Sequence, residues 1–236
     1  MRHIFPKMIA TNMAAAMWIG LIALALTGSA SAQDRRQNAP GEFDFYVLSL
    51  SWSPSFCASA SERGNSGRSQ QIQCGGDRPY AFVVHGLWPQ YERGFPSECA
   101  TGHGRLPDRL IRDQLDVFPA PGLVVHEWRS HGTCSGLAPA DYFRAARRAF
   151  EAVSVPDEFR RLDAPRMVDA DAVERAFRAA NPGLDADEVA VTCDGRRLRE
   201  VRVCFTRDLS AFRRCPEIDA DQCRRDRVYM PAVRGR

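Results

Sequence analysis

Val189-Ala190-Val191-Thr192-Cys193-Asp194-Gly195-Arg196-Arg197-Leu198-Arg199-Glu200-Val201-Arg202-Val203-Cys204 is the stretch that decides the fold class. Asp-Gly between two runs of branched residues predicts a tight hairpin, and the alternation of apolar and charged residues after it predicts a half-buried strand. Working outward, residues 43–52 (Phe-Asp-Phe-Tyr-Val-Leu-Ser-Leu-Ser-Trp) carry the aromatic and branched content of a strand, and residues 80–85 read as another that ends at His85. Helical stripes fill the space between. Residues 106–118 are apolar at 106, 110, 111, 115 and 118; residues 123–134 predict a helix stopping near Gly132; residues 138–153 and 171–180 are amphipathic. The serine-rich residues 59–73 predict a surface loop tied at its ends by Cys57 and Cys74. Strands at both ends with helices between them predict an α+β domain: a central antiparallel β-sheet flanked by several helices and stapled by disulfides.

The first 32 residues are set apart. Arg2 and Lys7 precede an apolar run of 14 residues from 13 to 26, and Ala30-Ser31-Ala32 precedes Gln33 as a small-residue cleavage site. This is the pattern of a signal peptide, and 14 residues fall short of the ~20 needed to span a bilayer. The expectation is a signal peptide over 1–32 and one catalytic domain over 33–236, exported to a periplasm or secreted, free of the membrane after cleavage and acting as a monomer. Residues 33–42 read as a loose amino-terminal arm.

Setting aside Arg2 and Lys7 takes the formal charge of +3 to about +1. A protein so near neutrality lacks the broad basic field of a tight nucleic-acid binder, so any contact with RNA must be local. Lys7 is the only lysine, so every fixed positive charge beyond residue 32 is an arginine. The tail arginines (224, 225, 227, 234, 236) and Arg144, Arg147 and Arg148 read as solvated surface. All eight cysteines, at 57, 74, 99, 134, 193, 204, 215 and 223, follow the export segment, and no Cys-x-x-Cys pair exists. An even count behind an export signal favours disulfides over a zinc site, although spacing alone allows 105 connectivities.

Three of the five histidines fall in two short segments: His85-Gly86-Leu87-Trp88-Pro89-Gln90, and, 41 residues later, His126-Glu127-Trp128-Arg129-Ser130-His131-Gly132-Thr133-Cys134. Imidazoles titrate near neutrality, so two of them brought together by folding can give and take protons in one reaction. A His-Glu-x-x-His zinc site is excluded by geometry: the histidines here are five apart, about 140° round a helix rather than on one face. No Gly-x-Ser-x-Gly elbow supports a serine nucleophile. RNA cleavage fits the inventory because the substrate supplies its own nucleophile. A base takes the 2′-hydroxyl proton, the oxygen attacks phosphorus, and an acid protonates the departing 5′-oxygen. DNA lacks that hydroxyl. The reaction requires no metal or other cofactor.

Both segments closely resemble the two active-site signatures of the ribonuclease T2 family, His-Gly-Leu-Trp-Pro and His-Glu-Trp-x-Lys-His-Gly-Thr-Cys, and Leu50 to Cys57 resembles a third family stretch, Leu-Ser-Trp-x-Pro-x-Phe-Cys. The resemblance implies an endoribonuclease that cleaves single-stranded RNA to a 2′,3′-cyclic phosphate, with His85 as general acid, His131 as general base, and Glu127 and His126 serving the phosphate. It makes Trp88 the stacking residue of a base pocket and puts Gln90 where a base contact sits. It pairs Cys99 with Cys134, Cys193 with Cys223 and Cys204 with Cys215, leaving Cys57 with Cys74. One position departs. Ser130 stands where the family has lysine, so a charge near the phosphate is missing, and Arg129 lies about 100° away on an ideal helix. That departure is the one feature favouring the alternative, a catalytically weak or inactive exported RNA-binding relative.

Overall fold

The computed structural model describes residues 38–64, 67–75 and 78–234. The expected signal segment (1–32) and residues 33–37 of the expected amino-terminal arm lie outside these. In chain order the elements are β1 (Phe45–Trp52), α1 (Ser53–Glu62), α2 (Arg68–Cys74), β2 (Phe82–Gln90), α3 (Asp108–Arg112), α4 (Pro121–Ser130), a 3₁₀ turn (Gly132–Ser135), α5 (Pro139–Glu151), α6 (Asp157–Arg160), β3 (Arg166–Asp169), α7 (Ala170–Ala180), a second 3₁₀ turn (Ala186–Glu188), β4 (Val189–Asp194), β5 (Arg197–Thr206), α8 (Pro216–Ala220) and β6 (Arg227–Met230).

The six strands form one mixed sheet in the order β2-β1-β5-β6-β3, with β4 on the remaining flank of β5. All pairings are antiparallel except the single β5/β6 contact, where Arg197 meets Tyr229. β1 is a central strand, so its period-2 alternation sorts side chains onto two covered faces. Tyr46, Leu48, Leu50 and Trp52 enter the main core with Tyr142, Phe143, Ala146 and Ala149 of α5 and Val173 and Phe177 of α7. Phe82 packs edge-on against Trp52 at 5.0 Å and Phe177 at 5.4 Å between ring centroids, an arrangement aromatic quadrupoles favour. The other face is different. Phe45 and Val47 join a small cluster with Ala190, Cys204, Cys215 and Ile218, and the strand then carries only Ser49 and Ser51, which leaves room above the sheet.

The bridges join Cys57 to Cys74, Cys99 to Cys134, Cys193 to Cys223 and Cys204 to Cys215. These are the pairs that the resemblance implies.

Four local expectations need correction. Residues 59–73 are not a loop throughout: α1 and α2 occupy much of them, linked by Cys57–Cys74. Serine disfavours helix by bonding to nearby backbone, but Pro54 presets the first turn and Ser55 and Ser59 are buried against the fold. The helix expected over 106–118 is only the five residues of α3; its later apolar residues, including buried Val117 and Phe118, reach the core through successive turns ahead of Pro119. The second strand does not end at His85 but runs on to Gln90. The hairpin turn is one residue later than Asp-Gly, because Asp194 pairs with Arg197 and the central residues are Gly195 and Arg196. Gly195 takes φ +51° at the first central position, where glycine is favoured.

Candidate active site

His85 comes from an irregularity in β2. Ser49 of β1 pairs with Gly86 and Leu50 with Val84, so His85 is the extra residue of a β-bulge, a device that re-aims a side chain out of the ladder. Glu200 on β5 lies opposite Ser51, and its Oε1 is 2.7 Å from His85 Nδ1. Glu200 is 1 % exposed. Its Oε2 accepts from Arg202 Nε at 3.2 Å and Nη2 at 3.1 Å, and the Arg199 guanidinium is 3.7 Å from Oε1. Burial would raise this carboxyl, but the hydrogen bond and charge of His85 with the charges of Arg202 and Arg199 outweigh it and hold the pKa at about 2.

α4 supplies the opposing wall. Pro121 starts it, and it stops at Ser130, where His131 leaves helical geometry at φ −127°, ψ −47°. His131 still donates its backbone N–H to the Glu127 carbonyl at 3.0 Å, so the expected i, i+4 relation between the two is preserved. Gly132 follows because a Cβ there would come within 2.5 Å of Trp128 and 2.9 Å of Tyr142. Glu127 is fully buried. Trp88 Nε1 donates to its Oε2 at 2.9 Å, while Oε1 has no hydrogen-bond partner and faces His85 Nε2 at 3.7 Å. Gly86 is what lets these groups meet, since a Cβ there would stand 1.9 Å from Glu127 Oε2 and 2.3 Å from Trp88 Nε1. Burial pushes Glu127 up to about 7, against the opposing pull of the His85 charge and the Trp88 hydrogen bond.

The imidazoles of His85 and His131 each lie 5.3 Å from the Trp88 ring, and His126 is 6.5 Å from His131. Their environments differ in sign. Burial, reinforced by the charges of His126 and His85, lowers His131 to about 4. Burial also works against protonated His85, but the hydrogen bond to Glu200 and the charges of Glu127 and Glu200 prevail and raise it.

A cleft of about 510 Å³ opens on either side of this row. One is lined by His85, His126, Glu200, Arg199, Gln73 and Asp194. The other is lined by Trp88, Gln90, His131, Arg202 and Phe95, the last 58 % exposed on the rim. Gln90 is buried in that wall with its amide nitrogen on the Pro89 carbonyl. The structure thus brings together His85, Trp88, His126, Glu127 and His131, with Gln90 in the adjoining wall. Arg129 is elsewhere, in a groove on the far side of α4 with His103 and Arg105. Among the described residues, no group of three or more His, Cys, Asp or Glu is placed to hold a metal ion.

Sequence reading missed Glu200, Arg199, Arg202 and Phe95. A signal was present for the first three: Leu198-Arg199-Glu200-Val201 breaks the alternation of the strand by one residue, and the structure has Leu198 opposite Cys193 and Glu200 opposite Thr192, with Arg199 bulged between them. For Phe95, in a loop without periodicity, there was none.

The family model of the ribonuclease T2 family matches residues 43–215, which hold every one of these side chains. The chain belongs to the ribonuclease T2 family. A ribonuclease of Aeromonas hydrophila is 38 % identical over 126 residues, covering 53 % of this chain and 54 % of that protein. A probable ribonuclease of Haemophilus influenzae is 36 % identical over 129 residues, covering 52 % and 47 %. The matched stretch is therefore about half the length of these relatives. An RNase-related protein from Calystegia sepium superposes with a TM-score of 0.64 at 19 % identity, over 82 % of this chain and 99 % of that one, and shares the T2 fold.

Proposed function

We propose that this T2 family member is a metal-independent endoribonuclease that cleaves single-stranded RNA by transphosphorylation. The observation that carries the reading is the placement of two histidines 5.3 Å from one tryptophan ring in opposite environments: burial pushes His131 down to about 4, while His85, against its burial, is pushed up by the hydrogen bond to Glu200. Environments that push two titratable groups apart assign base and acid at a single pH. His131 accepts the 2′-hydroxyl proton, the oxygen attacks phosphorus, and His85 Nε2 gives its proton to the 5′-oxygen as the P–O5′ bond breaks. The products are a 2′,3′-cyclic phosphate and a 5′-hydroxyl end.

Glu127 Oε1 and His85 Nε2 face the same point from 3.7 Å apart. Below about pH 7 burial keeps Glu127 largely protonated, so it donates to a phosphoryl oxygen rather than repelling it, and in that state the proton on His85 is held by Glu200 and not by Glu127. Exposed His126 serves the same phosphate from the α4 side. Trp88 and Phe95 offer aromatic surfaces for an unpaired base, and Gln90 stands in the same cleft wall. Disulfide framework and signal-like amino terminus together favour an exported protein working in a periplasm or outside the cell.

The test is cleavage of polymeric RNA beside single-stranded DNA, with and without chelator, with the first product resolved by chromatography. Cyclic phosphate from RNA alone, undiminished by chelator, is the expected result. Comparable DNA cleavage or abolition by chelator contradicts the reading.

A further inference from the structure

The geometry points to Glu200 as a positioning residue for His85: its carboxylate keeps a proton on Nδ1, so that Nε2 is the only nitrogen of His85 that exchanges a proton with substrate. This inference rests on the proposed acid role of His85. It begins from where the carboxylate is. Glu200 is 1 % exposed in the centre of the sheet, and a buried carboxylate is costly unless it is paired and hydrogen-bonded. Its two oxygens are divided between two tasks. Oε2 takes the fork of Arg202, which is anchored through Nη1 to Asp221 at 2.9 Å and lies over the Trp88 ring at 5.4 Å. Oε1 is left for the imidazole at 2.7 Å, a distance expected of a charge-assisted bond.

A carboxylate ionised at every working pH can only accept. The imidazole must therefore present Nδ1–H to it in both protonation states, and the tautomer of neutral His85 is fixed by the partner of its other nitrogen. Nε2 then points toward Glu127 Oε1. The groups facing His85 are Glu127 and His126 from α4, His131 at the end of α4, and Glu200, Arg199 and Arg202 from β5. Of these, Glu200 alone makes a hydrogen bond to the ring. The backbone assists: the bulge at His85 and the second bulge at Arg199 sit on the two strands flanking β1, above Ser49 and Ser51, which are too small to separate the imidazole from the carboxylate. A glutamate present only to neutralise Arg202 would be satisfied without the imidazole.

The test begins on the wild-type protein. Histidine side-chain ¹⁵N shifts are followed through a pH titration; His85 is identified by loss of its signal in His85→Ala. Nδ1 is expected to stay protonated throughout while Nε2 titrates; titration at Nδ1 with Nε2 protonated overturns the inference, whatever the activity of the enzyme. The second measurement is the pH profile of RNA cleavage by Glu200→Gln and Glu200→Asp. Glutamine keeps the volume but loses the charge, so the alkaline limb of kcat/KM should move to lower pH by one unit or more, with kcat falling at least 10-fold and KM changing less. Aspartate should restore part of that limb. A Glu200→Gln enzyme with the wild-type pH profile, even if less stable, overturns the inference. Should His85→Ala keep full activity, the acid role fails, while the tautomer titration still judges Glu200 by itself.

Discussion

At the scale of single residues, the site is governed by which charges burial permits. His85→Ala and His131→Ala are each expected to lower RNA cleavage at least about 10²-fold with the fold intact, since each removes one of the two proposed proton-transfer partners; near-wild-type turnover in either would take that histidine out of the proposed mechanism. Glu127 illustrates the conflict between activity and stability. Its folded pKa of about 7 lies above the ordinary 4.5, so its contribution to stability is complete below pH 4.5 and is lost as pH rises through 7, up to about 3 kcal/mol. Glu127→Gln removes that alkaline penalty. The variant should melt higher than wild type at pH 8–9 and cleave RNA more slowly; equal melting temperatures there would show that the carboxyl is not strained by burial. Ser130→Lys should raise kcat modestly by placing charge beside the scissile phosphate. If it does not, the substitutes are Arg199 and Arg202, which line the two clefts, rather than Arg129, which lines a groove behind α4. Arg129→Ala should then stay within about twofold of wild type, and a larger loss would show that the guanidinium reaches forward.

At the scale of elements, β2 and the end of α4 are joined through a position with no side chain. Gly86→Ala would put a methyl group 1.9 Å from Glu127 Oε2, so Glu127 and Trp88 must both move. Misplacement by an ångström costs on the order of 10² in rate, and we expect that loss without unfolding, read as kcat/KM beside a melting curve; retention of activity would show that the Trp88–Glu127 contact is dispensable. The elements also show what sequence could and could not convey. The hairpin, β1, α4, α5 and α7 follow from patterns repeated over many residues, so each was legible. The histidine cluster was legible because it is written into two short strings. The exact course of residues 106–118 and the helices over 59–73 were not, because a stripe of apolar residues can be buried by turns as well as by helix, and serine-rich helix is stabilised by tertiary packing that local preference does not encode. Glu200 was hidden for a related reason. The broken alternation at Arg199-Glu200 marks an irregularity in the strand, but a charged residue there still reads as solvent-facing until the assembled sheet covers its face.

At the scale of the whole molecule, charge is organised locally rather than as a field, with arginines paired to carboxylates around a protein whose formal net charge is only +3. The pH dependence should therefore be set by the cluster itself: activity rising as His131 deprotonates through about pH 4 and falling above neutrality as Glu127 and His85 lose their protons. A kcat/KM maximum above pH 8 would contradict the assigned protonation states. The Cys99–Cys134 bridge closes 35 residues that include all of α4, and its removal is expected to cost about 4 kcal/mol and lower the melting temperature by roughly 10 °C. Cys134 lies three residues beyond His131, and Cys204 four beyond Glu200. If the chain is the exported ribonuclease proposed above, oxidation would act as a licence: a copy still in a reducing compartment would not yet have secured the two walls of the site, and transcripts there would be spared. Protein refolded in excess thiol should be inert and gain activity in step with bridge formation; full activity of the reduced chain would show that no such safeguard exists.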